Sequence, residues 1–206
     1  MIGTVILDAL RAIGLILQMI ILIPLFIILL IISLMIPPTV DTDISEYETY
    51  RQELNYAAEF MPKLDALSDA ESIQFAFQET EEFFGIPRTM ALTAYYSDEA
   101  YIAAVAAFEA THTFVDAPII DTDGDHLLDD AFSYRGFDFR SVAPSSNKRD
   151  ACSYFGLFGT CAEHNCIAWL YFDDVDLDCI AESDEDLDAE MIEMVDEYFH
   201  WEPTFE

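Results

Sequence analysis

Positive charge is what this chain has least of. Its 206 residues carry 8 Lys and Arg against 40 Asp and Glu, for a formal net charge of −32. Lys63 and Lys148 are the only lysines, and no basic residue follows Arg149, whereas residues 173–206 hold fifteen acids. A surface of that sign repels nucleic acid and anionic head groups. The partners it favours are cationic: metal ions, a basic protein face, or the counter-ions of a salty medium. An acidic, lysine-poor surface is also what keeps a protein soluble in concentrated salt.

Catalytic signatures are absent as well. There is no Gly-rich phosphate loop, no GxSxG elbow and no HExxH. Ser145 and Lys148 fit the SxxK spacing, but they lie in a Pro/Ser/Asn loop without companion motifs. His112, His126, His164 and His200 are scattered. These absences predict a protein that is not an enzyme.

Charge of either sign is missing between Arg11 and Asp41. About 20 apolar residues cross a hydrocarbon core, so the run from Ala12 to Pro38 predicts one transmembrane helix over residues 12–36. No small-residue cleavage site follows it, which predicts a retained signal anchor. Gln18 and Pro24 interrupt the apolar run and are the expected contacts with a partner inside the membrane. Arg11 precedes the run, while Asp41, Asp43, Glu46 and Glu48 follow it. By the positive-inside rule the N-terminus is cytoplasmic and the C-terminal part extracytoplasmic, in the cell membrane. The expected organisation is an interfacial segment 1–11, the span 12–36, a linker 37–43 and an exported acidic domain 44–206.

Within that domain the spacing predicts helices first. Ser45 to Glu48 and Ser68 to Glu71 both fit the capping box. The first opens a helix that ends before Pro62; the second opens one carrying Ile73, Ala76, Phe77 and Phe84 and stopping near Gly85. Ser97 opens a third, over residues 98–111, with an Ile102, Val105, Phe108 stripe. Residues 132–140 alternate in polarity around Gly136 and predict a strand pair or a bulged strand. Residues 167–181 predict a hairpin turning at Asp173-Asp174. A last helix follows Ser183, with Leu187, Met191, Met194, Val195 and Tyr198 as its buried stripe. The sum is an α+β fold: one transmembrane helix, then a small domain of about four helices and a short antiparallel sheet.

Cysteine is scarce and concentrated: Cys152, Cys161, Cys166 and Cys179 are all there are. In an exported domain they predict two disulfides. The expected hairpin brings Cys166 beside Cys179, which leaves Cys152 for Cys161. A zinc site that includes His164 is the rival, although no CxxC is present.

The sharpest motif is Asp121-Thr-Asp-Gly-Asp-His-Leu-Leu-Asp129. Carboxylates at alternate positions fold around a hard cation that wants six to eight oxygens. Asp121, Asp123, Asp125 and Asp129 stand at positions 1, 3, 5 and 9 of such a loop. The stretch resembles the calcium loops of EF-hand-like and thrombospondin-type repeats, which implies structural calcium as cofactor. It departs from them in having His126 where glycine is usual and Phe132 where glutamate is. Gly3, Asp8 and Pro24 faintly resemble a pilin start, which implies a filament subunit as a remote alternative.

Together these features predict a non-enzymatic, single-pass, disulfide-stabilised membrane protein. It would be an accessory or structural subunit of a membrane or cell-surface assembly. The alternative is an anchored binding module, a sensor or inhibitor, that captures a cationic partner; a membrane-tethered hydrolase is a remote one.

Overall fold

The computed structural model describes residues 18–19, 21–26, 39–54, 56–80, 87–120, 122–142, 154–173, 180–182, 184–199, 201 and 203. The chain divides into two compact units, Met1–Pro37 and Pro38–Glu206.

In the first unit, residues 18–19 and 21–26 are helical and exposed, Gln18 and Pro24 among them. The rest of the expected span lies outside the described residues. Among the described residues no helix is long and apolar enough to cross a membrane. This corrects the transmembrane expectation. The signal anchor, the integral membrane partner and the N-inside, C-outside localisation all rested on that span and fall with it.

The second unit is built on a sheet, not on helices. Among the described residues there are nine strands: β1 (Thr39–Asp41), β2 (Ser72–Glu79), β3 (Arg88–Tyr95), β4 (Ile119–Ile120), β5 (His126–Leu128), β6 (Ala131–Tyr134), β7 (Phe137–Val142), β8 (Tyr154–Cys161) and β9 (Cys166–Asp173). Seven form one sheet in the order β1-β2-β3-β9-β8-β7-β6, and β4 pairs with β5 apart from it. Each neighbouring pair of the large sheet is antiparallel. The helices are α1 (Tyr47–Glu53), α2 (Ala57–Phe60), α3 (Asp98–Glu109) and α4 (Leu187–Tyr198). The expected domain of about four helices with a short sheet is thereby corrected: helices are present, but the sheet is the principal element.

β9 lies at the middle of the sheet, and all eight of its residues are buried. Its side chains alternate between two cores. Cys166, Ala168, Leu170 and Phe172 join Phe139, Phe155, Leu157, Met191 and Trp201 on one face. Ile167, Trp169 and Tyr171 join Tyr47, Phe60, Phe75, Leu92 and Phe108 on the other. α4 therefore covers the first face, and α1, α2 and α3 the second. A strand buried on both faces reads as a near-continuous apolar run, and Ile167 to Phe172 is one.

One expected helix is a strand, and the expected stripe of another is only partly buried. Ser68 to Glu71 does not open a helix, because residues 72–79 form β2. Phe75 and Phe77 alternate toward α1, where Tyr47 meets Phe75 edge-on at 5.4 Å and Tyr50 stacks on Phe77 at 3.9 Å. Ile102 on α3 is 68% exposed, so the expected stripe of that helix is buried mainly through Phe108. The strand pair of residues 132–140 does form, with Arg135 and Gly136 at its turn. Both take positive φ, 50° and 80°, as a two-residue hairpin turn requires. α4 also forms, with the Asp186 side chain capping the Ala189 N–H and Met191, Met194, Val195 and Tyr198 buried.

Two glycines in β8 make room for neighbouring rings, one on α2 and one on β7. A Cβ on Gly156 would strike the Phe60 ring, and one on Gly159 the Phe139 ring. Gly159→Val is expected to lower the urea midpoint by the equivalent of about 1–3 kcal/mol, the usual penalty of overpacking. An unchanged midpoint would show that Phe139 does not lie over Gly159.

Candidate functional site

Three places gather chemistry-bearing side chains: the acidic loop, the cysteine rung and a cleft on the helix-covered face.

In the loop, Asp121 lies outside the described residues, Asp123 is exposed, Asp125 half-buried and Asp129 buried. Gly124 takes a φ of 99° that favours glycine at the bend. Among the described residues no three His, Cys, Asp or Glu side chains are grouped to hold a metal ion. Asp129 itself is unusual. It is 4% exposed, and its Oδ1 accepts the Asp130 N–H at 2.8 Å. Its Oδ2 is buried without a partner among the described residues. Burial first, then the charges of Asp130 and Asp188, push its carboxyl up to about 6.

The expected disulfides are not found. Cys161 and Cys166 are free, buried thiols. The reason is register. β9 pairs with β8 and β3, so the residue opposite Cys166 is Cys161, at the last rung before the turn through Asn165. Asn165 takes a φ of 47°, and its amide donates to Asp98 at 2.5 Å. Cys152 and Cys179 lie outside the described residues. The pairings Cys166 with Cys179 and Cys152 with Cys161 are thereby corrected, and with them the disulfide-stabilised exported domain. Burial pushes the Cys166 thiol up to about 12, so it stays protonated and unreactive.

The cleft has a volume of about 380 Å³ and is lined by residues from three directions. α2 supplies Glu59 and Phe60, with Tyr56 just before it. The segment after α3 supplies Thr111, His112 and Thr113. The sheet supplies Val142, Gly156 and Tyr171 as the floor.

Local chemistry places each of these. α2 has only four residues and would not hold its own shape. The buried Arg51 of α1 fixes it, its Nε donating to the Met61 carbonyl at 2.8 Å and its Nη2 to the Ala58 carbonyl at 2.6 Å. Cations suit the free carbonyls at a helix C-terminus. Phe60 then drops onto Gly156, stacks near Tyr171 at 6.1 Å and meets Phe108 edge-on at 5.9 Å.

His112 ties α2 to the end of α3. Its ring stacks on Phe108 at 3.8 Å, and its Nε2 lies 3.2 Å from the Glu59 carbonyl oxygen. Its Nδ1 lies 3.0 Å from the Thr111 hydroxyl. Tyr56 takes a φ of 56°, a strained value for a bulky residue. Its ring is 42% exposed and meets Tyr154 edge-on at 5.8 Å.

Tyr171 completes the floor. It is fully buried, yet its hydroxyl has no hydrogen-bond partner among the described residues. Burial, with the charge of Asp173 next, pushes its ionisation far up, so the hydroxyl stays neutral. Glu59 is exposed, and among the described residues no Lys or Arg lines the cleft.

None of the cleft residues except His112 stood out in the sequence. They come from five separate stretches, and each residue type is ordinary where it stands.

No family model matches the chain, and neither a curated protein nor a solved structure matches it.

Asp129 generates a sign-specific prediction. Its unfolded carboxyl ionises near 3.8 and its folded one near 6. The folded state therefore holds the extra proton between those values, and the stability it contributes is lost as pH rises through that window. Asp129→Asn should match the wild-type melting temperature near pH 4 and exceed it by about 3 °C or more near pH 7. Equal melting temperatures at both values would contradict the buried, unpartnered carboxyl.

Proposed function

We propose that this chain is a binding module whose acidic surface captures a cationic partner. The observation that supports this is where the described arginines are spent. Arg51 is buried against backbone carbonyls and Glu48. Arg88 pairs with the buried Asp173 directly opposite it across β3 and β9. Arg135 donates to the Trp201 carbonyl and pairs with Asp196 at 3.2 Å. Arg140 pairs with Glu109 at 2.8 Å and lies over the Phe114 ring at 3.6 Å.

Each of these guanidiniums is used inside the domain, so the acids left over set the sign of its outer face. A field of one sign raises the association rate of an oppositely charged partner and is screened by salt. The sequence offers no nucleophile–base spacing, which favours recognition as the task. The membrane half of an accessory-subunit role has no support once the span is corrected.

The reading is tested by calorimetric titration of the full chain with a lysine-rich peptide. Two ionic strengths, about 10 mM and about 150 mM, shorten the Debye length from about 30 Å to about 8 Å. Saturable binding at the lower strength, weakened about ten-fold or more at the higher, is expected. No saturable binding at the lower strength would contradict it, and would leave the acidity as an adaptation to salt alone.

A further inference from the structure

We infer that the outer face of α3 is where two copies of this chain pair, their α3 helices running antiparallel about a two-fold axis. The inference goes beyond partner capture and does not rest on it.

The first ground is a contrast between two helices of one molecule. α3 and α4 have 12 residues each, and each helps to cover one face of the sheet. On α4 the exposed positions are Asp188, Ala189, Glu193, Asp196 and Glu197. That is what an outer helix of so acidic a chain should carry. On α3 the middle of the outer face is Ile102, Ala103, Ala106 and Ala107, all exposed, with Ala110 one turn on. Ile102 is 68% exposed. The inner side of the same helix packs Tyr101, Ala104, Val105 and Phe108 into the core. A single exposed apolar side chain is ordinary on a protein surface. Here the apolar positions are helical neighbours and form one face. A helix that is apolar all round is one that is covered all round.

The second ground is sign, and it selects the occupant. A cationic partner would gain from acids on the face that it meets. A second copy carries the same net charge of −32, and like charges brought together repel. Keeping acids on α4 while the centre of α3 has none suits contact with a like-charged surface. The acids of α3, Asp98, Glu99 and Glu109, stand at its two ends.

The third ground is the match that a two-fold axis makes between those ends. In such a contact residue i of one copy meets residue j of the other, and j meets i. An antiparallel pair that seats Ile102 on Ala106 of the second copy also sets Glu99 opposite Glu109, since both pairs are symmetric about Ala104. Glu109 is not a bare charge there. Arg140 pairs with it at 2.8 Å and is itself half-exposed. A guanidinium has several N–H donors, and Glu109 accepts from one of its nitrogens. Arg140 therefore stands at each end of the pair, where Glu99 of the other copy arrives. Alanines in the middle let the helix axes approach to about 8 Å, the near end of the usual range. The contact is small and belongs with weak, reversible interfaces.

The test is sedimentation equilibrium of the full chain up to about 100 μM, at about 0.15 M and about 1 M salt. Wild type is compared with Ala106→Glu, Ile102→Ala and, as a control on the other helix, Ala189→Glu. All three positions are exposed and each replacement is a good helix former, so the variants should fold.

A monomer–dimer equilibrium is expected for wild type, tightened about three-fold or more by the higher salt, because screening weakens repulsion between the copies. That sign is opposite to the one expected for capture of a cationic peptide, so the two readings fail separately. Ala106→Glu should weaken the dimer about ten-fold or more, Ile102→Ala about three-fold or more, and Ala189→Glu less than about two-fold. In a mixture of isotope-labelled and unlabelled chains, the Ile102 methyl groups should show NOEs to the Ala106 methyl of the other copy. A monomer at every concentration and at both salt levels would overturn the inference. So would association that Ala106→Glu and Ile102→Ala leave unchanged, because the contact would then lie on another surface. Dimers without an Ile102–Ala106 NOE between copies would overturn it as well.

Discussion

β9 is the constraint on which the rest of the second unit depends. A strand buried on both faces must have its backbone paired on both edges and its side chains packed on both sides. β8 and β3 supply the pairing along its full length. α4 closes one face, and α1, α2 and α3 close the other. The links across the layers follow from its place at the centre. Thr89 on β3 donates to the Tyr198 carbonyl at the end of α4 at 2.9 Å, and Trp201 donates to Thr93 at 2.9 Å. On the opposite face the alternation of β9 puts Tyr171 at the floor of the cleft. The same register sets Cys166 against Cys161 and Asp173 against Arg88.

Charge in this protein is divided between two tasks. The scarce arginines secure backbone carbonyls, one buried carboxylate and one aromatic face. The abundant acids remain outside, where like-charge repulsion opposes folding and steers partners. The two tasks meet at α2. Arg51 holds the short helix by its carbonyls from below, and Glu59 on that helix presents a carboxylate above the cleft.

How much of this was legible in the sequence depended on whether local pattern and tertiary setting agreed. They agreed at residues 132–140, where alternation flanks Arg135-Gly136, and at α4, where acids precede a Met and Val stripe. They disagreed at β2. Ser68 to Glu71 mimics a helix start, and Ile73, Ala76 and Phe77 fit helical spacing about as well as Ile73, Phe75 and Phe77 fit a strand. Only the contact with α1 decides between them. Ile167 to Phe172 reads as a strand, but Asp173-Asp174 resembles a turn and points to a hairpin with the residues after it. Strand order in an antiparallel sheet is set by which faces need covering, and that carries no local signature. The cysteine pairing inherited the same error. The apolar run 12–36 reads as a span by length and hydropathy, and among the described residues no helix is long and apolar enough to cross a membrane. The cleft was the least legible, since its floor, wall and rim converge only after the sheet has formed.

The claim that β9 carries both cores is tested most directly by native-state hydrogen exchange. In the present account the amides of Ala168, Leu170 and Phe172 exchange only through global unfolding, with the largest free energies in the chain. Those of the edge strands β1 and β6 open at lower free energy. Amides of β9 that exchange through a smaller, local opening than those of β1 or β6 would contradict a central strand clamped from both faces.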